Sequence, residues 1–148
     1  MNEKVKQNQP DFLEHLNSFR DKFDKFYGQK YFIDNIPEIL NKSIQYINST
    51  GGKRIRPFLV YECASLFDVK FEESIDAAIA IEMVHTYSLI HDDLPAMDDD
   101  DMRRGNETLH KKYNEAIAIL SGDALLTDSF VLLVERYKNI DINICIEL

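Results

Sequence analysis

Tryptophan is absent from this sequence, and cysteine is scarce, with two residues among 148. Cys63 and Cys145 stand far apart in the chain. This separation argues against a disulfide framework and against a cysteine-ligated zinc site. Two isolated thiols suit a reducing compartment, so we expect a cytoplasmic protein.

Basic residues are also few, with 17 lysines and arginines against 26 aspartates and glutamates and a formal net charge of −9. Because nucleic-acid backbones are bound by basic surfaces, we expect no nucleic-acid partner. The acid is concentrated, since six aspartates fall within the ten residues 92–101. Residues 92–101 are therefore a candidate functional segment.

Long apolar runs are lacking as well, and none approaches the length that a membrane span requires. Residues 1–10 are polar, with no apolar core, which excludes a signal peptide in this segment. We expect them to form a disordered leader, residues 11–148 to belong to one domain, and the protein to be soluble without a membrane partner.

The apolar residues recur at helical spacing, and no stretch alternates with period two for long enough to predict a strand. The sequence therefore predicts an all-α protein. We expect five helices. The first runs from near Asp11 to Gly28, the second from Pro37 to the break at 49–52, and the third from Pro57 to Phe67. The fourth runs from Glu73 to the aspartates and the fifth from Asn114 to about Tyr137.

Two of these helices have a predicted buried face. In the third helix we expect the following side chains to face inward: Phe58, Leu59, Cys63, Leu66 and Phe67. In the fourth helix the buried stripe is expected to consist of Ile75, Ala78, Ile79, Met83, Thr86 and Ile90. His91, His110 and Asp123 are interpreted as structural residues.

The aspartate-rich segment has the chemistry of a metal site. Carboxylates are hard oxygen ligands, which Mg²⁺ shares with the phosphates of a substrate. Without counter-charge, clustered carboxylates repel one another, and burial adds to the cost. Arg103 and Arg104 follow immediately, and the planar guanidinium group suits diphosphate oxygens. Acids beside arginines therefore indicate a metal-bridged diphosphate.

Helical geometry leaves two candidates for the second metal ligand. On a straight helix Asp92 and Asp99 would share a face, whereas Asp98 would point away from Asp92. Pro95 lies between them and perturbs the helix, so this projection fails beyond it. His85 lies two turns before Asp92 on the same face. Spacing alone leaves both Asp98 and Asp99 open.

A second basic cluster lies earlier in the chain, in the segment Gly51-Gly52-Lys53-Arg54-Ile55-Arg56-Pro57. Its glycines allow the backbone to approach an anion, and three cations follow at an expected helix start. The spacing is not that of a P-loop. This cluster predicts a second diphosphate site.

Together the segments GGKRIRP and HTYSLIHDDLPAMDDDDMRRG resemble the trans-isoprenyl diphosphate synthase (polyprenyl synthetase) family, and within it the bacterial farnesyl diphosphate synthase (geranyltranstransferase) type. The resemblance covers the chain from about Phe12 onward. It implies a helical bundle around a central cavity, a homodimer, and Mg²⁺-dependent condensation of isopentenyl diphosphate with an allylic diphosphate, dimethylallyl or geranyl diphosphate.

The resemblance also implies a role for individual residues. Isopentenyl diphosphate would be held by Lys53, Arg56 and His85, with Arg104 assisting. Magnesium on the allylic diphosphate would be bound by Asp92 and Asp98, with Asp93 close by. Arg103 would contact that diphosphate and act with Asp92 and Asp98 in catalysis.

Two finer points depend on the same resemblance. The subgroup spaces its aspartates with four residues between the pair and the next one, which favours Asp98 over Asp99. Tyr87, five residues before Asp92, matches the bulky position that limits chain length and implies a fifteen-carbon product.

Family members are roughly twice as long and carry a second aspartate motif in the other half. We therefore expect this chain to be the N-terminal half of the domain and to be inactive alone. Two alternatives stay open, namely a class I terpene cyclase fragment and a non-catalytic subunit of a prenyl synthase. GGKRIRP weighs against the cyclase, which has no second diphosphate substrate to hold.

Overall fold

A computed structural model describes residues 11–30 and 36–138 of the chain. In this part the fold is helical, with one short hairpin, and the all-α expectation is confirmed. The elements are α1 (Phe12–Lys30), α2 (Glu38–Ser49), α3 (Ile55–Ser65), α4 (Phe71–Asp92), β1 (Met102–Arg103), β2 (Asn106–Glu107), α5 (Leu109–Lys112) and α6 (Glu115–Tyr137). The predicted leader at 1–10 and Cys145 lie outside the described residues.

Helix α4 is the central element and packs against α3 on one side and α6 on the other. Every residue of its predicted stripe is buried, namely Ile75, Ala78, Ile79, Met83, Thr86 and Ile90. The prediction succeeded because a helix covered on two sides repeats its apolar residues at three- and four-residue spacing.

Helix α6 begins where the sequence predicts. The Asn114 side chain accepts a hydrogen bond from the backbone N–H of Ile117 at 2.8 Å, which caps the first turn. Further along, Gly122 faces α4, and the His91 ring occupies the space that a larger residue would need. The glycine therefore sets the close approach of the two long helices.

Helix α6 also corrects an expectation about membranes. Within the described part of the chain it is one helix that is long and apolar enough to cross a bilayer, judged by length and composition. The sequence expectation counted uninterrupted apolar runs, which Asp123 and Asp128 break. The buried face of α6, with Ala118 and Leu125, packs against the protein core. A core helix passes the same criteria.

Helix α1 contributes aromatic side chains to the core. Phe19 and Phe23 are buried, and the Phe19 ring packs edge-on against Phe58 at 5.5 Å and Phe71 at 6.2 Å between centroids. Phe12, the first residue of the helix, is exposed. The helix continues past Gly28 to Lys30, since one glycine in a helix costs only about 1 kcal/mol.

Helix α3 differs most from its prediction. It begins at Ile55, two residues early, and ends at Ser65. Phe58 is buried as expected, whereas the other four residues of the predicted face are exposed: Leu59, Cys63, Leu66 and Phe67, the last at 80%. The helix covers α4 with one narrow face, and Leu66 and Phe67 lie in the turn that follows.

The hairpin of β1 and β2 was not predicted, because strands of two residues are too short to show an alternating pattern. Arg104 and Gly105 form its turn, both with positive φ, at 53° and 80°. Because the hairpin folds back, Arg103 and Arg104 lie beside the C-terminal half of α4 rather than continuing away from it.

Candidate functional site

The residues predicted for one diphosphate converge on a single cavity. It measures about 190 Å³ and opens between the start of α3, the middle of α4 and the hairpin turn. Its lining consists of Lys53, Arg54, Ile55, Arg56, Glu82, His85 and Arg104. Positions 53 and 104 are far apart in sequence, so the fold rather than the motif brings these cations together.

The two glycines shape this cavity by admitting a side chain. Arg104 donates a hydrogen bond from Nη1 to the carbonyl oxygen of Gly51, whose φ is 72°. A Cβ atom on Gly52 would lie 2.7 Å from the same Nη1. The sequence associated these glycines with an anion, and the structure shows that they also make room for the guanidinium group that would bind it.

Arg54 is a residue of the site that sequence reasoning missed. It adopts a left-handed backbone conformation, and its side chain is buried. Its Nε lies 2.7 Å from Asp24 on α1, and its Nη1 lies 2.7 Å from Glu82 on α4. The signal was a glutamate within the buried stripe of α4, because a buried carboxylate requires a cation.

His85 lies on the wall of the cavity formed by α4. Its Nε2 is 3.3 Å from Nη1 of Arg56, and a guanidinium group can only donate in such a contact. Partial burial and the positive charge of Arg56 lower the pKa of His85. The imidazole is therefore neutral at neutral pH and accepts the hydrogen bond.

The aspartates follow α4 in a tightly folded loop. The backbone N–H of Asp98 donates to the carbonyl oxygen of Asp92 at 2.8 Å, and that of Asp100 donates to Asp93 at 3.2 Å. The loop thus returns to the end of α4, as the interruption at Pro95 allowed. Asp98 is exposed, whereas Asp92 is half-buried. The first of these hydrogen bonds brings the backbones of the two residues next to each other.

Asp93 and Arg103 pair with each other. One carboxylate oxygen of Asp93, Oδ1, lies 2.7 Å from Nε and 2.5 Å from Nη2 of Arg103, and the residue is 1% exposed. This contact raises the pKa of Arg103. The other oxygen, Oδ2, is buried and has no hydrogen-bond partner among the described residues. The predicted roles of both residues stay predictions.

Tyr87 lies on α4 between His85 and the aspartates. It is half-buried, and its ring packs edge-on against His91, with centroids 4.7 Å apart. It lies five residues before Asp92, at which α4 ends. Its role in setting product length stays a prediction.

A second acidic group is formed by two further aspartates of the loop and a histidine of α5. One oxygen each of Asp99 and Asp101 and one ring nitrogen of His110 lie within 4.8 Å of one another. His110 was interpreted from the sequence as structural. Helical periodicity does not place a buried histidine of α5 beside loop carboxylates.

Comparison with known proteins agrees with this architecture. Residues 37–147 match the family model described as polyprenyl synthetase. Farnesyl diphosphate synthase of Bacillus subtilis (strain 168) is 50% identical over 105 residues, 71% of this chain and 36% of that protein. Geranylgeranyl diphosphate synthase of Cyanophora paradoxa is 46% identical over 112 residues, 76% of this chain and 37% of that protein.

Among solved structures, the apo FPP/GFPP synthase of Zymomonas mobilis superposes with a TM-score of 0.82 at 38% identity, covering 91% of this chain and 49% of that one. The chain belongs to the polyprenyl synthetase family. It spans about a third of the length of these curated relatives, at 36% and 37%, and about half of the Zymomonas chain, at 49%.

Proposed function

We propose that this chain supplies the diphosphate-binding half of a short-chain prenyltransferase. The reaction is the condensation of isopentenyl diphosphate with dimethylallyl or geranyl diphosphate, with farnesyl diphosphate as the expected product. One observation carries the proposal. Lys53, Arg56, His85 and Arg104 line one cavity of about 190 Å³, in a chain of net charge −9.

In this proposal the cavity holds isopentenyl diphosphate. Arg56 and Arg104 present planar guanidinium groups, and Lys53 adds a point charge. In the free protein His85 accepts a hydrogen bond from Arg56. In the complex we expect Arg56 to donate to the diphosphate instead, which leaves His85 next to the bound anion. Arg54 takes no direct part, because Asp24 and Glu82 already occupy its guanidinium group.

The allylic diphosphate is proposed to bind at the aspartate loop with Mg²⁺. The donor set fits a hard divalent cation, since Asp92 and Asp98 are drawn together by their backbones and Asp93 has a buried oxygen without a partner among the described residues. Bound there, Mg²⁺ would neutralise charge on the departing diphosphate. Arg103 is next to this group and would reach the same diphosphate by exchanging its contact with Asp93.

Titration calorimetry of the 148-residue chain with isopentenyl diphosphate tests the first site. Arg56→Gln is expected to weaken binding about tenfold or more, because a charged hydrogen bond contributes about 1.5–3 kcal/mol. Arg20→Gln is the matched control, since Arg20 lies on α1 outside the cavity lining. Equal affinity of Arg56→Gln and the unchanged chain would refute the assignment.

The second site is tested with geranyl diphosphate in the presence and absence of Mg²⁺. Asp92→Asn is expected to abolish the part of the affinity that depends on Mg²⁺, whereas Asp68→Asn, an isosteric change at an exposed aspartate after α3, leaves it intact. If Asp92→Asn retained the full Mg²⁺ effect, the metal assignment would be wrong. Product assays with both substrates test whether these 148 residues turn over alone, which we expect they do not.

A homodimer and a cytoplasmic location complete the proposal. The homodimer rests on the resemblance to family members, and the location on the scarcity of cysteine. Equilibrium sedimentation of the 148-residue chain tests the first, and fractionation of cells expressing the whole polypeptide tests the second.

A further inference from the structure

The group formed by Asp99, Asp101 and His110 contains none of the residues proposed above to contact a diphosphate. The two carboxylates are exposed, whereas His110 is 7% exposed on the short helix α5. Its ring nitrogen Nε2 is buried and has no hydrogen-bond partner among the described residues. A buried imidazole nitrogen without a partner is costly unless it holds a ligand.

The neighbouring threonine defines the tautomer of this ring in its neutral form. The hydroxyl of Thr108 donates to the backbone carbonyl oxygen of Asp100 at 2.8 Å, so its single proton is used. The same hydroxyl oxygen lies 3.3 Å from Nδ1 of His110, where it can only accept. In the neutral ring this contact places the proton on Nδ1 and leaves the lone pair on Nε2.

This arrangement is the one that metal-ligating histidines use. In such residues one ring nitrogen binds the metal and the other donates a hydrogen bond. This hydrogen bond fixes the tautomer and the ring orientation, and leaves the ligating nitrogen unprotonated. Thr108 is fully buried, and its backbone N–H also donates to the Asp101 carbonyl oxygen at 3.0 Å. The same residue thus orients His110 and anchors the backbone of the aspartate loop.

A cation already stabilises part of this group. Nζ of Lys111 lies 2.7 Å from Oδ1 of Asp101, and the contact raises the pKa of Lys111. The pair is exposed, so the ammonium group can leave at little cost. A metal ion would compete with Lys111 for Asp101, and this competition gives the site a distinctive test.

We propose that His110, through the ring nitrogen Nε2 that Thr108 leaves free, and the carboxylates of Asp99 and Asp101 form a second divalent-cation site, distinct from the one proposed at Asp92 and Asp98. One imidazole nitrogen with two carboxylate oxygens suits Zn²⁺ or a similar borderline transition ion better than Mg²⁺, which prefers oxygen ligands alone. The ion would fasten the aspartate loop, in which Asp98 precedes Asp99, to α5.

The chain without a histidine tag, labelled with ¹⁵N, is titrated with Zn²⁺, and long-range proton–nitrogen spectra follow the rings of its four histidines. We expect the Nε2 resonance of His110 to shift at one equivalent, with the other three rings unchanged. Absence of this shift, or a first response at another histidine, would overturn the proposal.

Three variants sharpen the test. His110→Gln is expected to weaken Zn²⁺ binding by at least about tenfold, as loss of even a supporting residue costs ten- to a hundredfold. His15→Gln, a matched change at a half-exposed histidine of α1, leaves it unchanged. Lys111→Met is expected to tighten binding severalfold by removing the competing ammonium group.

Lys111→Met carries the test even if His110→Gln fails to fold, because an exposed lysine is easily replaced. Unchanged or weaker Zn²⁺ affinity in this variant would refute the geometry. Asp92→Asn separates the two metal proposals. It is expected to keep the His110 response to Zn²⁺ while losing Mg²⁺-dependent binding of geranyl diphosphate. Loss of both would show that there is one metal site and would refute the proposal of a second.

Discussion

Gly52 and Arg104 show how a single missing atom can shape a binding cavity. The guanidinium group of Arg104 occupies the position next to Gly52, so that a Cβ atom there would meet Nη1 at 2.7 Å. The clash involves the end of a flexible side chain and not the backbone. A larger residue would therefore displace Arg104 and leave the fold intact.

Gly52→Ala is accordingly expected to change binding more than stability. Displacing Arg104 should weaken isopentenyl diphosphate binding about tenfold, since a charged hydrogen bond contributes about 1.5–3 kcal/mol. Calorimetry measures the binding, and urea denaturation should show a change below about 1 kcal/mol, as for a tolerated surface position. A large loss of stability with unchanged binding would contradict this account.

His85 links binding at the cavity to pH. Burial and the charge of Arg56 lower its pKa in the free protein, whereas a bound diphosphate adds negative charge beside it and raises that pKa. The complex then holds more protons than the free chain, so binding tightens as the pH falls through the region below the ordinary histidine pKa of about 6.5.

Affinity for pyrophosphate is measured between about pH 8 and pH 5.5, on either side of the histidine range. The ligand also titrates, so the comparison is with His85→Gln, which shares the ligand contribution. We expect the unchanged chain to gain more affinity on acidification than the variant. Parallel profiles would exclude a role for His85 at the anion.

At the scale of elements, the contact between α4 and α6 depends on Gly122. The His91 ring packs onto this glycine, and its Nε2 lies 3.1 Å from the Ile119 carbonyl oxygen. A Cβ atom on Gly122 would lie 2.4 Å from that nitrogen. Here the ring is held between two helices, with Tyr87 on its other side, and has little room to move.

Gly122→Ala is therefore expected to lower the free energy of unfolding by about 1–3 kcal/mol, the usual cost of overpacking. Gly28→Ala is the matched control in α1, where no atom lies within 4 Å of the added Cβ. It is expected to raise stability by about 0.5–1 kcal/mol through helix propensity. Urea denaturation measures both.

Adding His91→Ala to Gly122→Ala tests the cause. The double variant should recover part of the loss, because the ring that meets the new methyl group is gone. If the second substitution only adds to the first, the clash is not the cause.

At the scale of the whole molecule, one buried ion network joins three parts of the fold. Arg54 lies at the start of α3, 5% exposed, and connects Asp24 on α1 with Glu82 on α4. Its neighbours in sequence, Lys53 and Arg56, line the cavity. The network thus fixes the basic segment against the helices that form the opposite wall.

Glu82→Ala is expected to lower the free energy of unfolding by about 3–5 kcal/mol, because it leaves the buried Arg54 without its closest buried partner. Glu38→Ala is the matched control, since it breaks an exposed pair with Lys42 and should change little. Thermal and urea denaturation measure both. Similar effects of the two changes would show that Arg54 finds other partners.

The sequence by itself determined the helical class, the buried stripe of α4 and the residues of the two motifs. These are local properties, because helical period and motif spacing are carried by neighbouring residues. It misjudged the face of α3 and the end of α1 at Gly28, since burial there depends on what packs alongside. The membership in the polyprenyl synthetase family agrees with the motifs.

Only the tertiary structure decided which of these residues meet. Lys53 and Arg104 share a cavity, Arg54 reaches Asp24 and Glu82, and Asp93 pairs with Arg103. It also placed His110 beside Asp99 and Asp101. These contacts arise because the loop after Asp92 and the hairpin turn fold back on α4, and no local pattern encodes the direction of that return.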